Sequence, residues 1–348
     1  MYPLKFKAAV LRKISEPLTI EEITFKGPLQ RGQILVKLLF TGICGKQIEE
    51  IDEKGQPDKF LPHLLGHEGT ATIIDTGSGV DKDIIGKTAV LHWMKGDGIQ
   101  SSTPIYFDKQ NKKINAGWVT TFNEYAVVSQ NRVTVIDSKK NLDQNALFGC
   151  AASTGLGISF NQVKITKKDT VLVVGCGGVG LSLIQGLTLF HPSKIIAADI
   201  SNSALRLAKK CGATHFLNTK NKDFRKKFFE ITSSIGASKV FIVTGNIEAI
   251  QSSIELCQVP GECYQVGVPE FGKKISIDAF SLMHGRNLFG SMGGQINPNR
   301  DIPKFIRLNN TGKINIENLI TKRYKFKNIN KGIEYMRSSK GGRVMVKF

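Results

Sequence analysis

The chain has 348 residues, 41% of them hydrophobic, and a formal net charge of +19. That length and apolar content suffice for two sizeable cores, and no apolar run approaches the roughly 18 residues of a membrane span. The N-terminus carries Lys5, Lys7, Arg12 and Lys13 without a long apolar segment, unlike a secretory signal. A cytoplasmic location without a membrane partner is expected.

Six cysteines in no compact framework fit a reducing compartment. The basic residues are spread through most segments, with clusters at 220–227 and 322–327, and no nucleic-acid motif accompanies them. The charge is expected to steer an anionic cofactor or substrate rather than to bind nucleic acid.

The first 140 residues read as short strands between Gly, Pro and Asp turns, for example at 34–40, 69–75, 88–92 and 124–128. That is a mostly β domain. Cys44, His67 and Cys150 are of the types zinc prefers, and three ligands leave a fourth position open, as in a catalytic site. Taken singly, each has a plainer reading: a buried Cys is a small hydrophobe, and a His is often a satisfied core residue.

From Cys150 onward strands at 171–174, 195–198, 240–243 and 263–266 alternate with helical stretches, the order of a doubly wound α/β sheet. The first of these runs into Gly175-Cys176-Gly177-Gly178-Val179-Gly180, and apolar residues at near-helical spacing follow over 181–190. A strand turning into a helix is the context a dinucleotide fingerprint requires. Gly175 serves the turn, Gly177 the approach of a pyrophosphate and Gly180 the packing of helix on strand.

The second strand ends at Asp199, about twenty residues further on, where an acidic residue binds ribose hydroxyls. A carboxylate there repels a 2′-phosphate, so NAD is expected over NADP; the plainer reading is a cap on the next helix. Arg206, one turn into that helix, is the residue that would blur the preference. Cys176 is expected beside the pyrophosphate, where its alkylation would block NAD, whereas Cys211, Cys257 and Cys263 read as packing residues. Near Phe289 the alternation stops. Helices at 301–308 and 330–338 and a final strand at 343–348 follow, so the expected domains are 1–148, completed by 290–348, and 149–289.

Gly42-Ile43-Cys44-Gly45, Gly66-His67-Glu68-Gly69 and the segment from Gly149-Cys150 to Gly155 resemble, in order, the three ligand segments of the zinc-containing alcohol dehydrogenases of the medium-chain dehydrogenase/reductase superfamily. The resemblance runs nearly end to end. It implies a GroES-like catalytic domain around a Rossmann-like domain, one catalytic zinc held by Cys44, His67 and Cys150, and Glu68 as a supporting residue or transient fourth ligand. It further implies that Val266, Val268 and Ser291 hold the nicotinamide, that Arg343 reaches the pyrophosphate, and that the chain forms a homodimer or homotetramer through the sheet edge near 287–292. The implied activity is hydride transfer between an alcohol and NAD, with zinc acidifying the substrate oxygen.

The sequence departs from these relatives in two places. Lys46 and Gln47 stand where most have a Ser or Thr that relays the alcohol proton and an Asp that supports the zinc histidine, and Glu49 stands where many keep a His. Lys46 then donates protons, binds an acidic substrate group or swings to solvent, with Glu49 as its partner. Residues 91–121 lack the four cysteines of a structural zinc site, so none is expected. By position, His92, Trp93 and Phe122 should line the substrate pocket, and ordinary loop packing is the alternative. A polar and aromatic lining suits a secondary alcohol on a polyol or sugar-derived chain. The alternatives are a zinc-dependent reductase in a sugar-modification or secondary-metabolite pathway and a catalytically silent NAD-binding relative.

Overall fold

The computed structural model describes residues 2–52, 58–338 and 341–348. The N-terminal part contains β1 (Leu4–Leu11), β2 (Thr19–Phe25), β3 (Gln33–Ile43), α1 (Gly45–Ile51), β4 (His63–Leu64), β5 (Gly69–Thr76), β6 (Thr88–Leu91), β7 (Ile105–Phe107), β8 (Lys113–Asn115), β9 (Tyr125–Ser129) and β10 (Val133–Ile136). β1, β2, β7, β8 and β4 close into a barrel. Alternation along β1 sends Phe6, Ala8 and Val10 into the barrel core, while Ala9 and Leu11 fill a second core on its other face.

β7 and β8 form the hairpin that occupies the cysteine-free segment. Its turn is organised by Asp108, which accepts N–H bonds from Gln110 at 3.0 Å and Lys112 at 2.9 Å. Arg12, already paired with Glu21, donates to the same carboxylate at 3.0 Å. Tyr106 is wholly buried, edge-on to Phe6 at 5.7 Å, and its hydroxyl accepts the Val127 N–H at 2.8 Å.

The chain then continues through α2 (Leu142–Ala146) and α3 (Ala151–Gly157) into β11 (Thr170–Val174), α4 (Gly178–Thr188), β12 (Lys194–Asp199), α5 (Asn202–Lys210), β13 (His215–Asn218), α6 (Phe224–Ile231), β14 (Ala237–Ile242), α7 (Ile247–Ile254), β15 (Cys257–Gln265), α8 (Ala279–Met283) and β16 (Arg286–Gly290). The six strands form one parallel sheet in the order β13-β12-β11-β14-β15-β16. Both faces are covered. In β11, Val171 and Val173 enter one core while Leu172 and Val174 enter the other, which is why the strand reads as an unbroken apolar run.

The last segment comprises α9 (Pro298–Asn310), β17 (Ile320–Lys325), α10 (Ile329–Arg337) and β18 (Arg343–Lys347). α9 begins cleanly because Pro298 occupies its first turn and the Asn297 side chain accepts the Arg300 N–H. β18 pairs antiparallel with β3, and β17 lies outside it, so the C-terminus joins the sheet of the N-terminal part in the order β10-β6-β5-β3-β18-β17, with β9 also on β3.

Three strands differ from the sequence expectation. β13, at one edge of the parallel sheet, was not anticipated. β16 continues the parallel sheet where alternation was expected to stop, and β17 lies where none was anticipated. Both are edge strands with one poorly covered face, so neither carries a strong apolar pattern; Lys322 and Arg323 point to solvent from β17, as edge strands favour.

Candidate active site

β3 ends at Ile43, and the chain turns at Cys44 directly into α1. His67 follows the left-handed Gly66 and precedes β5, and Cys150 caps α3. These three segments are far apart in sequence, yet the ligand atoms of Cys44, His67 and Cys150 all lie within 4.8 Å of one another. Nε2 of His67 is buried without a hydrogen-bond partner among the described residues. An unpartnered imidazole nitrogen facing two thiols fits a zinc ion, whose preferred ligands are these.

The polar groups around the cluster are specific. Gln47 Oε1 accepts the Cys44 N–H at 3.0 Å, and its Nε2 meets His67 Nδ1. The Cys150 thiol hydrogen-bonds to Cys44, and Arg343 lies beside it. The Cys150 contact first, and then the Arg343 charge, hold the Cys44 thiol well below its ordinary range, while the contact with Cys44 and burial push Cys150 up against the opposing pull of Arg343.

Glu68 is fully buried. Its Oε2 accepts the Ala151 N–H at 3.2 Å, and its Oε1 lies 3.4 Å from Arg343 Nε, an ion pair too poorly aligned to be a hydrogen bond. Burial raises the carboxyl to about 6 against the opposing pull of Arg343. The fit is close, because a Cβ on Gly42 would lie 2.4 Å from Glu68 Oε1.

The glycine loop sits at the carboxyl ends of the parallel strands, where such sheets bind ligands. Gly175 has φ +98°, and a side chain at Gly180 would lie 2.0 Å from the Gly175 carbonyl oxygen, so the turn and the helix packing both demand glycine. α4 starts at Gly178, with Val179 and Gly180 in its first turn. A cleft of about 790 Å³ opens in front of this loop, lined by Gly175, Gly177, Asp199 and Arg343 among others. Gly45, beside Cys44, lines the same cleft, so the candidate ligand cluster and the cleft adjoin.

Asp199 accepts the Cys176 N–H at 2.7 Å and the Ser201 N–H at 2.8 Å. Its carboxylate thus binds the loop while facing the cleft, and the cap of α5 is Ser201 instead. Cys176 departs from expectation. Its side chain is wholly buried in the core with Sγ toward the Ala198 carbonyl, and burial raises its thiol well above the ordinary value, so it is a poor target for alkylation.

The other expected residues divide. Val266 and Ser291 follow the ends of β15 and β16, with Val268 exposed just beyond; none of the three lines the cleft beside the glycine loop. Trp93 is half-buried, and its backbone N–H donates to the Gly149 carbonyl beside Cys150. Phe122 is fully buried, packed against Gly66 in the core beneath His67. His92 is not brought into a pocket. Its ring is buried, with Nδ1 on the Met94 carbonyl at 2.7 Å and Nε2 on Thr134 at 3.0 Å, a structural role for which both nitrogens are used. Lys46 and Glu49 pair at 3.3 Å on the more exposed side of α1.

Glu50 was not singled out from the sequence. It lies one helical turn beyond Gln47, half-buried among His67, Lys46 and His63, and burial raises its carboxyl. No hydrogen bond to it is present among the described residues. The available signal was helical spacing: Cys44, Gln47 and Glu50 are three apart.

With this geometry in view, known proteins supply the class. Residues 30–138 match the alcohol dehydrogenase GroES-like domain and residues 178–310 the zinc-binding dehydrogenase family. S-(hydroxymethyl)glutathione dehydrogenase of Saccharomyces cerevisiae is 32% identical, over 95% of this chain and 93% of that one. The crystal structure of benzyl alcohol dehydrogenase from Acinetobacter calcoaceticus superposes with a TM-score of 0.88 at 26% identity over 99% of both chains. An alcohol dehydrogenase zinc-binding domain protein from Burkholderia ambifaria shares the fold with a TM-score of 0.90 at 24% identity over 99% of both.

The fold and the ligand cluster define an oxidoreductase of the zinc-containing dehydrogenase class. The chain belongs to the zinc-containing alcohol dehydrogenase family of the medium-chain dehydrogenase/reductase superfamily. No helix among the described residues is long and apolar enough to cross a membrane.

Proposed function

We propose that Cys44, His67 and Cys150 hold a single catalytic zinc per chain, that the cleft takes NAD in preference to NADP, and that the enzyme oxidises a secondary alcohol on a polyol or sugar-derived carbon chain. The observation that carries this reading is the convergence of the three ligand atoms beside a cleft shared with the glycine loop and Asp199. Residues 1–148 with 290–348 would form the catalytic unit, and 149–289 the nucleotide-binding unit.

When bound, zinc supplies Lewis acidity toward the substrate oxygen, and NAD supplies the hydride acceptor. The chain supplies position and charge. Asp199 takes the ribose hydroxyls and repels a 2′-phosphate. Arg343 lies buried between the glycine loop and Glu68, where its charge reaches both the cofactor phosphates and the metal ligands. Lys46 and Glu49, paired toward solvent, exchange the alcohol proton with water. Glu50 and Trp93 offer one acceptor and one apolar face to a hydroxylated chain. Phe280, Met283, Phe289 and Met292 are all exposed around the β16 edge, which supports a homodimer through that edge.

The test is zinc content by mass spectrometry with NADH absorbance followed across polyols and ketoses, for the native chain and Cys150→Ala. About one zinc per chain, lost with activity in the variant, is the expected result. Metal-replete protein without zinc would sink the reading. The net charge of +19 favours one second substrate, an anionic one such as the glutathione adduct named for the yeast relative. That adduct belongs in the same panel, and turnover of it alone would replace the polyol.

A further inference from the structure

Gln47 places the two ends of its amide on two neighbours. Its Oε1 takes the Cys44 N–H at 3.0 Å, and its amide nitrogen faces His67 Nδ1. This arrangement is satisfied only while Nδ1 is an acceptor, which places the ring proton on Nε2. Nε2 is the buried nitrogen that faces Cys44 and Cys150. A metal on Nε2 requires the opposite tautomer, with the proton on Nδ1 pointing at Gln47. Cys44 and His67 are then both donors, and they face opposite ends of the amide, only one of which is an oxygen. The conflict does not depend on which way the amide is turned, because turning it only moves the unmet donor from one neighbour to the other.

We infer that Gln47 is a positioning residue that weakens zinc binding and couples it to the start of α1: on loading, its oxygen turns to His67 Nδ1–H and releases the Cys44 N–H. A carboxylate at 47 would accept both donors at once. Zinc-bound His67 is the stronger donor, since the cation polarises its ring. The chain therefore holds a preformed ligand cluster whose surroundings favour the metal-free tautomer.

This inference rests on the zinc reading above. Zinc affinity is measured by competition with a chromogenic chelator for the full-length native chain and for Gln47→Glu, and Cys44 N–H protection is followed by amide exchange with and without zinc. The variant is expected to bind zinc about tenfold to a hundredfold more tightly. In the native chain zinc should strip protection from the Cys44 amide, and in Gln47→Glu it should not. Equal affinities would overturn the inference. So would tighter binding with the Cys44 amide protected in both proteins, since that result is the added negative charge acting alone. Gln47→Glu keeps the side-chain length, and matched thermal melts of the zinc-free proteins check that the variant folds. Failure of both proteins to bind zinc would instead remove the ligand assignment itself.

Discussion

Arg343 meets Glu68 with Nε 3.4 Å from Oε1 and, from the same guanidinium, donates to Cys44 Sγ at 3.3 Å. Its Cζ would lie 2.8 Å from a Cβ on Gly178, so one side chain from the last strand touches the first turn of α4 and the cysteine–histidine cluster together. Arg343→Gln should therefore fail in two ways. Glu68 is left buried without its counter-charge, at a cost of about 3 kcal/mol in denaturant-measured stability. NADH affinity, read by fluorescence titration, should fall about tenfold or more. A variant that loses stability alone would free Arg343 from any cofactor role.

Glu50 is expected to read substrate hydroxyls. Gln in its place should raise KM for a vicinal diol about tenfold and leave a matched mono-alcohol nearly unchanged, since a hydrogen bond to a charged acceptor is worth more than one to an amide. Zinc content should not move. Equal losses on both alcohols would assign Glu50 to the metal surroundings rather than to the substrate.

Asp199 carries a preference that can be inverted. Asp199→Ser removes the charge facing the ribose, so kcat/KM with NAD should fall about tenfold to a hundredfold while that with NADP rises or holds. The bonds to the Cys176 and Ser201 N–H groups are weakened as well, and a thermal melt separates that cost from the change of cofactor. A parallel fall with both cofactors would count against the ribose role.

Acid stability should follow His92. Burial lowers its pKa from 6.5 to about 4, so between those values the unfolded chain binds a proton that the folded chain does not. The associated stability is complete above about pH 6.5 and is lost as pH falls toward 4, by at most about 3 kcal/mol. His92→Gln should flatten that window in urea titrations at successive pH values. An unchanged slope would place the acid sensitivity elsewhere.

Legibility in the sequence followed burial. Thr170–Val174, covered on both faces, was plain, and so was the glycine loop it enters, because both obey local rules. Arg286–Gly290 and Ile320–Lys325 lie at sheet edges, where one face needs no apolar residues, and they left no such trace. Within the site, Cys44, His67 and Cys150 were readable from their types and segments. His92 was not, since an aromatic stretch after a strand gives no sign of which way its ring turns; two hydrogen bonds decided that. Gln47 was noticed as a departure, but its consequence needed the contact with His67 Nδ1. Glu50 depended on its setting beside residues that are distant in sequence.

The hairpin of β7 and β8 is organised by Tyr106, Asp108 and Arg12, and residues 91–121 contain no thiol. That lobe is therefore tied together by its own side chains: Asp108 fixes the turn, Arg12 links it to Glu21 on β2, and the Tyr106 hydroxyl holds the Val127 N–H of β9.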